Sequence, residues 1–147
     1  MVQAQGKPTV RVLHEESFLA LNLMYVDCRA SLDDLSAGRF SSDARKGVYE
    51  LLLQHRAATG EEIAGQSGEL GTYVQKLLLI AEEEYPEPDE IMLQQEAFLL
   101  ARKVFLESNK EFKDKINAAL REMNGDEHKK EREHLMNQLS AIIDSER

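Results

Sequence analysis

Acidic side chains provide the clearest metal-ligand spacings in this sequence. Glu131 and His134 have the Glu-x-x-His spacing found in carboxylate-bridged di-metal sites of helical bundles. Such a site needs the motif on two helices, and no acidic residue stands three positions before His14, His55 or His128. Because the segment around Glu131 is strongly charged, we interpret the pair as part of a solvated helix face and predict no metal there.

Two further acidic pairs, each three residues apart, are Glu87 with Glu90 and Glu111 with Asp114. Their spacing resembles that with which the all-helical nucleotide pyrophosphohydrolases hold Mg²⁺. Pro88 lies inside the first pair, where only a well-formed helix places two carboxylates one turn apart. Phe112 lies inside the second pair and belongs to an apolar stripe. The spacing is therefore similar to that family in outline only, and we do not assign the chain to it.

Nucleophilic and phosphate-binding motifs are also incomplete. Cys28 is the only cysteine, which excludes an intramolecular disulfide, and it lies on the apolar face of the first predicted helix as a small buried hydrophobe. The glycines at positions 60, 65, 68 and 71 follow no strand and lack the Lys-Ser/Thr of a phosphate loop, so we interpret them as a connection.

Helices must position all of these residues. Apolar residues at 18, 21, 25, 28, 32 and 35 alternate steps of three and four, which predicts a first helix over about 12–37, closed by Gly38. Ser41 or Ser42 is expected to cap a second helix that ends near Gly60. Residues 60–71 are predicted to be a loop with a helical turn at 61–64, and Ser67 to cap a third helix over about 69–84.

The longest predicted helix covers about 89–123. A seven-residue recurrence places five residues on one side of it, and apolar residues between positions 97 and 106 also cover its flanks. A helix that is apolar most of the way round is predicted to be a central one, surrounded by other helices. The residues of that recurrence are Ile91, Phe98, Phe105, Phe112 and Ala119. About 35 helical residues span roughly 52 Å, whereas a compact chain of this length is about 40 Å across. We therefore expect an elongated bundle or a contact with another chain.

A break at Asn124-Gly125, with Asn124 or Asp126 as the next cap, predicts a last helix to about Ser145. Folding that helix back about the break pairs Ile116 with Leu135, Phe112 with Leu139 and Asn109 with Ile142. Leu120 and Met123 then have no apolar neighbour in the hairpin. They contact either the second or third helix or a partner, unless the long helix continues unbroken through Gly125.

These elements predict an all-α fold: an elongated, mostly up-and-down bundle of four major helices plus a C-terminal helix. Residues 1–9 are expected to form a flexible leader and residues 10–147 a single domain. The chain has 18 Lys and Arg against 27 Asp and Glu, a net charge of −9, which disfavours nucleic acid and anionic membrane as partners. The N-terminus lacks the apolar core of a signal peptide, and the apolar runs are too short to span a membrane, so we expect a cytoplasmic protein.

We therefore predict a non-enzymatic protein-interaction module, such as an adaptor, an export chaperone or a regulatory subunit. It would bind another protein, or itself as a dimer, through an apolar helix face and without a cofactor. The predicted interaction residues are Ile116, Leu120, Met123, Leu135 and Leu139. The alternative is a small all-helical enzyme or ligand sensor that binds a divalent metal or a nucleotide, with a pocket between the first and central helices near His14, Tyr25 or His55. The net charge disfavours a DNA-binding regulator.

Overall fold

The structure is a computed structural model that describes residues 8–123 and 128–147, and every regular element among them is helical. The α-helices are α1 (Val10–Met24), α2 (Asp43–Gln54), α3 (Gly60–Gln66), α4 (Gly71–Glu84), α5 (Glu90–Glu122) and α6 (Lys129–Ser145). Shorter 3₁₀ helices cover Val26–Asp34, Ala37–Arg39 and Gly68–Leu70. The predicted all-α fold is confirmed, including the long helix over about 89–123 and the C-terminal helix.

The chain divides into two compact units, one ending at Phe105 and the other beginning at Leu106. The single domain predicted for residues 10–147 stays a prediction. Most of the predicted leader, residues 1–7, lies outside the described residues. Thr9 belongs to the first unit as the N-cap of α1, since its hydroxyl accepts a hydrogen bond from the Val12 amide at 3.2 Å.

α1 is shorter than predicted, because Tyr25 adopts an extended conformation and a 3₁₀ helix follows. Cys28 and Leu32 remain buried in that 3₁₀ helix, so the spacing of three and four identified the buried positions but not the type of helix. The buried guanidinium of Arg29 donates to the carbonyls of Asn22 and Leu23, at 2.8 and 3.2 Å. These contacts hold the chain folded back over the C-terminal end of α1.

The broken segment after α2 is more regular than predicted. α2 ends at Gln54, before the predicted limit at Gly60. Residues 60–66 form α3, whose N-terminus is closed by reciprocal hydrogen bonds between Thr59 and Glu62. Gly68 has φ of +56°, the left-handed conformation that favours glycine, and α4 begins at Gly71. Ser67 is the N-cap residue of the 3₁₀ helix that precedes α4, but its hydroxyl makes no capping bond and instead donates to the Ala64 carbonyl at 2.8 Å.

The core of the first unit combines residues of α1, α2, α3, α4 and the first part of α5 with the 3₁₀ segment between α1 and α2. At its centre the ring of Phe40 lies 6.2 Å from that of Phe18 and 5.0 Å from that of Tyr49. The hydroxyl of Tyr49 donates to the carbonyls of Leu32 and Leu35, which ties α2 to the 3₁₀ segment. Ser42 caps α2 as one of the two predicted residues, accepting from the Arg45 amide at 3.2 Å.

Two carboxylates are buried where α1 packs against α2 and α4. Glu15 accepts hydrogen bonds from Arg45 Nε at 2.8 Å, from Arg11 Nε at 3.0 Å and from the Ser41 amide at 2.8 Å. Glu16 accepts from the hydroxyl of Tyr73 at 2.7 Å, and burial, followed by this hydrogen bond, raises the pKa of Tyr73. The burial of both carboxylates is consistent with the rule that buried charges are paired.

The buried face of α5 differs from the predicted one. Its core residues in the first unit are Leu93, Ala97, Leu100, Ala101 and Val104. Ile91 and Phe98, predicted to be buried, are 71% and 43% exposed. α5 carries two apolar stripes on opposite sides, and the small side chains of Ala97 and Ala101 suit the side that approaches the core. The prediction of the buried side was therefore wrong, although the prediction of the helix was right.

Candidate interaction surface on the C-terminal hairpin

The second unit is a hairpin formed by the C-terminal part of α5 and by α6. Asn109 Nδ2 donates to Ser145 Oγ at 3.4 Å and to Glu146 Oε2 at 3.1 Å, and Lys113 Nζ lies 2.9 Å from Glu146 Oε2. Asn109 therefore lies opposite the end of α6, three to four residues beyond Ile142, and the predicted register was wrong. The polar contacts of Glu146 favour the observed register. The predicted break and caps at residues 124–126 lie outside the described residues.

This register changes the neighbours of the predicted interaction residues. Leu120 lines a groove together with Met136, and Met123 lines another together with Leu135. The prediction that Leu120 and Met123 have no apolar neighbour in the hairpin was therefore wrong. Leu120, Met123, Leu135 and Leu139 are all half-buried.

Ile116 is the best-covered residue of the predicted set, with 9% of its surface exposed. It lines an open groove of about 450 Å³ together with Phe112, Ala141 and Ile142. The groove runs along the seam between the two helices and is lined mainly by apolar side chains. The hairpin thus brings apolar residues of both helices together without closing over them.

α6 contains no buried residue along its described length. Apolar side chains nevertheless recur along it at the spacing of an amphipathic helix: Leu135, Met136, Leu139, Ile142 and Ile143. Met136 and Ile143 are 51% and 44% exposed. Fully burying one such side chain contributes about 1.5–3 kcal/mol. The apolar side chains of α6 are only partly removed from water, so much of this stabilisation is not realised in the hairpin. The hairpin is therefore a candidate surface for binding another polypeptide.

The candidate metal ligands are dispersed. Glu87 lies in the exposed turn before α5 and Glu90 begins α5, while Glu111 and Asp114 lie on the same helix rather than on a facing one. Glu111 and Asp114 pair with the lysines four residues away, at 3.0 and 3.3 Å. Glu131 lies 3.4 Å from His128 Nδ1. Within residues 8–123 and 128–147, no group of three or more His, Cys, Asp or Glu side chains is placed to hold a metal.

The three residues named as alternatives for a ligand pocket lie at different places in the first unit. His14 and Tyr25 are separated by most of α1, about 16 Å along its axis. The Tyr25 hydroxyl donates to the Tyr85 carbonyl at 2.7 Å, which fixes the turn that follows α4. His55 is the C-cap of α2, and its carbonyl accepts from Arg29 at 3.3 Å. The contacts of Tyr25 and His55 thus serve the connections between helices.

Cys28 is 1% exposed, as the sequence predicted. Its burial, followed by the negative charge of Asp27, raises the pKa of the thiol to about 11. Since the thiolate is the reactive form of cysteine, this thiol is a weak nucleophile near neutral pH.

The exposure of one group of apolar residues on α5 was not predicted. Ile91, Met92, Phe98 and Leu99 form an apolar stripe on the outward side of α5. The alternating positions of Leu93, Ala97, Leu100 and Val104 were the available signal, since they form a second helical face.

No protein-family model matches the chain, and no curated protein or solved structure matches it either. Among the described helices, none is both long enough and apolar enough to cross a membrane.

Proposed function

We propose that this protein is a non-enzymatic, cytoplasmic protein-interaction module, of the kind found among adaptors, export chaperones and regulatory subunits. Its binding surface is the C-terminal hairpin, with Ile116, Leu120, Met123, Leu135 and Leu139 at the contact. A partner helix or extended segment lies along the seam between α5 and α6. The observation that carries this proposal is the incomplete burial of α6, an amphipathic helix without a buried residue.

The physical argument is that apolar side chains repeated along a helix gain stability only when water is removed from them. In the second unit the two helices cover each other's apolar residues only in part. A partner that fills the groove beside Ile116 and Ile142 removes further apolar surface from water, which favours association. The charged residues that border the grooves, among them Lys129, Arg132 and Glu133, would provide the polar rim of such a contact.

The test uses the full chain with a photo-crosslinking residue in place of Leu139, exposed to a lysate of the source cells. We expect one protein to be cross-linked at this position and to be lost when Leu120 or Met136 is replaced by Asp. The matched control is Leu79→Asp, because Leu79 is 61% exposed on α4 in the other unit. Circular dichroism of each variant establishes that helix content is preserved.

Capture that persists in both Leu120→Asp and Met136→Asp would contradict the proposal. The enzyme or sensor alternative makes a different prediction, namely a rise of many degrees in the unfolding temperature with one divalent cation or nucleotide. A thermal-shift screen of the purified protein therefore separates the two function classes.

A further inference from the structure

A second apolar surface lies on α5, in the first unit. Ile91, Met92, Phe98 and Leu99 are 71%, 52%, 43% and 55% exposed, and we call these four residues the outer stripe. They lie on the side of the helix opposite the core residues Leu93, Ala97, Leu100, Ala101 and Val104. The outer stripe is therefore not required for the packing of its own unit.

The spacing of the outer stripe is that of helices that pack lengthwise. Ile91 and Phe98 are seven residues apart, as are Met92 and Leu99, so both pairs repeat after two helical turns. Exposed Gln95 lies between the two pairs. Seven residues further on, Phe105 is half-buried with the guanidinium of Arg39 4.4 Å from its ring centroid, and Leu106, 37% exposed, begins the second unit.

The charges at the two ends of the outer stripe have opposite sign. Exposed Glu87 and Asp89 precede it, and exposed Arg102 and Lys103 follow it. A second copy in antiparallel orientation places the acidic end of each helix beside the basic end of the other, so the favourable contact occurs twice. A parallel copy instead brings like charges together, which is unfavourable. The outer stripe is thus complementary to itself in one orientation.

We propose that this chain self-associates through the outer stripe as an antiparallel, twofold-symmetric dimer. With the twofold axis beside Gln95, Ile91 and Met92 of one copy lie against Phe98 and Leu99 of the other, and the two Gln95 amides hydrogen-bond to each other. This geometry is an isologous interface, the commonest form of homo-oligomer. It does not depend on the hairpin binding another protein.

The exposed apolar area determines how tight this dimer is. Four partly exposed side chains provide on the order of 400 Å² per copy, about half of the roughly 800 Å² per partner in a standard stable interface. We therefore expect a reversible dimer with a dissociation constant between roughly 10 and 500 μM. The monomer predominates in dilute solution.

Analytical ultracentrifugation of the full chain from about 1 μM to about 1 mM tests the proposal. We expect a monomer–dimer equilibrium that Phe98→Asp weakens by at least tenfold and that the matched variant Leu79→Asp leaves unchanged. A monomer at the highest concentration, or a dimer that Phe98→Asp does not weaken, overturns it. Leu120→Asp distinguishes the two proposals, because we expect it to impair binding to the hairpin and to leave the dimer intact. A dimer that is lost in Leu120→Asp but not in Phe98→Asp would place the dimer contact on the hairpin instead.

Charge exchange tests the antiparallel orientation with surface substitutions that leave the core unaltered. Lys103→Glu and Glu87→Lys are each expected to weaken self-association about fivefold, because each creates two repulsive contacts in the homodimer. Mixing the two variants restores both attractive contacts, so the mixed dimer is expected to regain the affinity of the unmodified chain. A mixture no tighter than either variant alone refutes the antiparallel arrangement.

Discussion

Replacing the buried carboxylate of Glu15 by the isosteric amide, Glu15→Gln, is predicted to destabilise the first unit strongly. The Glu15 side chain is completely buried, whereas those of Arg45 and Arg11 are 12% and 21% exposed. The amide keeps the shape but loses the charge, and its nitrogen cannot accept from donors that now face it. With the amide oxygen at the position of Oε1, the Ser41 amide and Arg45 keep an acceptor but lose its negative charge, whereas Arg11 Nε then faces an NH₂ group that cannot accept.

The expected loss of stability in Glu15→Gln follows from how deeply Arg45 and Arg11 are buried beside Glu15. Removing one member of a buried ion pair costs about 3–5 kcal/mol. Because both arginines retain some exposure and can recover contact with water, we expect the lower end, about 3 kcal/mol. Glu50→Gln is the matched control, since Glu50 is an exposed glutamate on α2, and a change within about 0.5 kcal/mol is expected for it.

Urea unfolding followed by far-ultraviolet circular dichroism measures the overall effect. Because the chain has two compact units, native-state hydrogen exchange of the buried Val48 and Leu52 amides reports on the first unit specifically. A double-mutant cycle with Arg45→Gln should give a coupling free energy of about 1–3 kcal/mol. A loss below about 1 kcal/mol for Glu15→Gln, or additive effects in the cycle, would refute the reasoning from buried pairing.

Three further substitutions test other contacts of the first unit. Gly60→Ala should destabilise the first unit by about 1–3 kcal/mol, because the added Cβ would lie 2.7 Å from the Leu23 carbonyl oxygen. The control is Gly65→Ala, whose added Cβ would meet nothing within 4 Å and which should be neutral or stabilising. Equal urea midpoints for the two variants would contradict the close approach at Gly60. Arg29→Lys should lower the free energy of unfolding in urea by about 2–3 kcal/mol, because one ammonium group cannot replace a guanidinium group that contacts five carbonyls at the ends of α1 and α2. An unchanged free energy of unfolding would contradict this prediction. The Cys28 thiol has a pKa of about 11 against an ordinary 9.0, so its contribution to stability is present below about pH 9 and is lost between about pH 9 and pH 11. This loss of stability at high pH should be smaller in Cys28→Ala. A thiol that reacts at neutral pH as fast in the folded protein as in urea would contradict the raised pKa.

Local sequence patterns were sufficient for the identity of most helices. The apolar spacing and Pro88 predicted α5 with a difference of a single residue at each end. The serine before α2 and the burial of Cys28 were also predicted correctly. These features depend on residues close together in the chain, which is why a single sequence reveals them.

Tertiary packing decided which side of each helix was used. α5 has two apolar stripes, and nothing along the helix itself distinguishes the one that faces the core through Ala97 and Ala101 from the one that carries Ile91 and Phe98. The hairpin register likewise depends on the contacts of Glu146 with Asn109 and Lys113, far away in the sequence. Glu15 resembles a surface residue by type, and it is buried only because the chain brings Arg45 and Ser41 to it. The sequence by itself determined that the chain is helical and where its longest helix lies, because periodicity is a property of neighbouring residues. The choice of buried faces, the register and the paired charges required the tertiary structure, because each depends on surfaces supplied by distant segments.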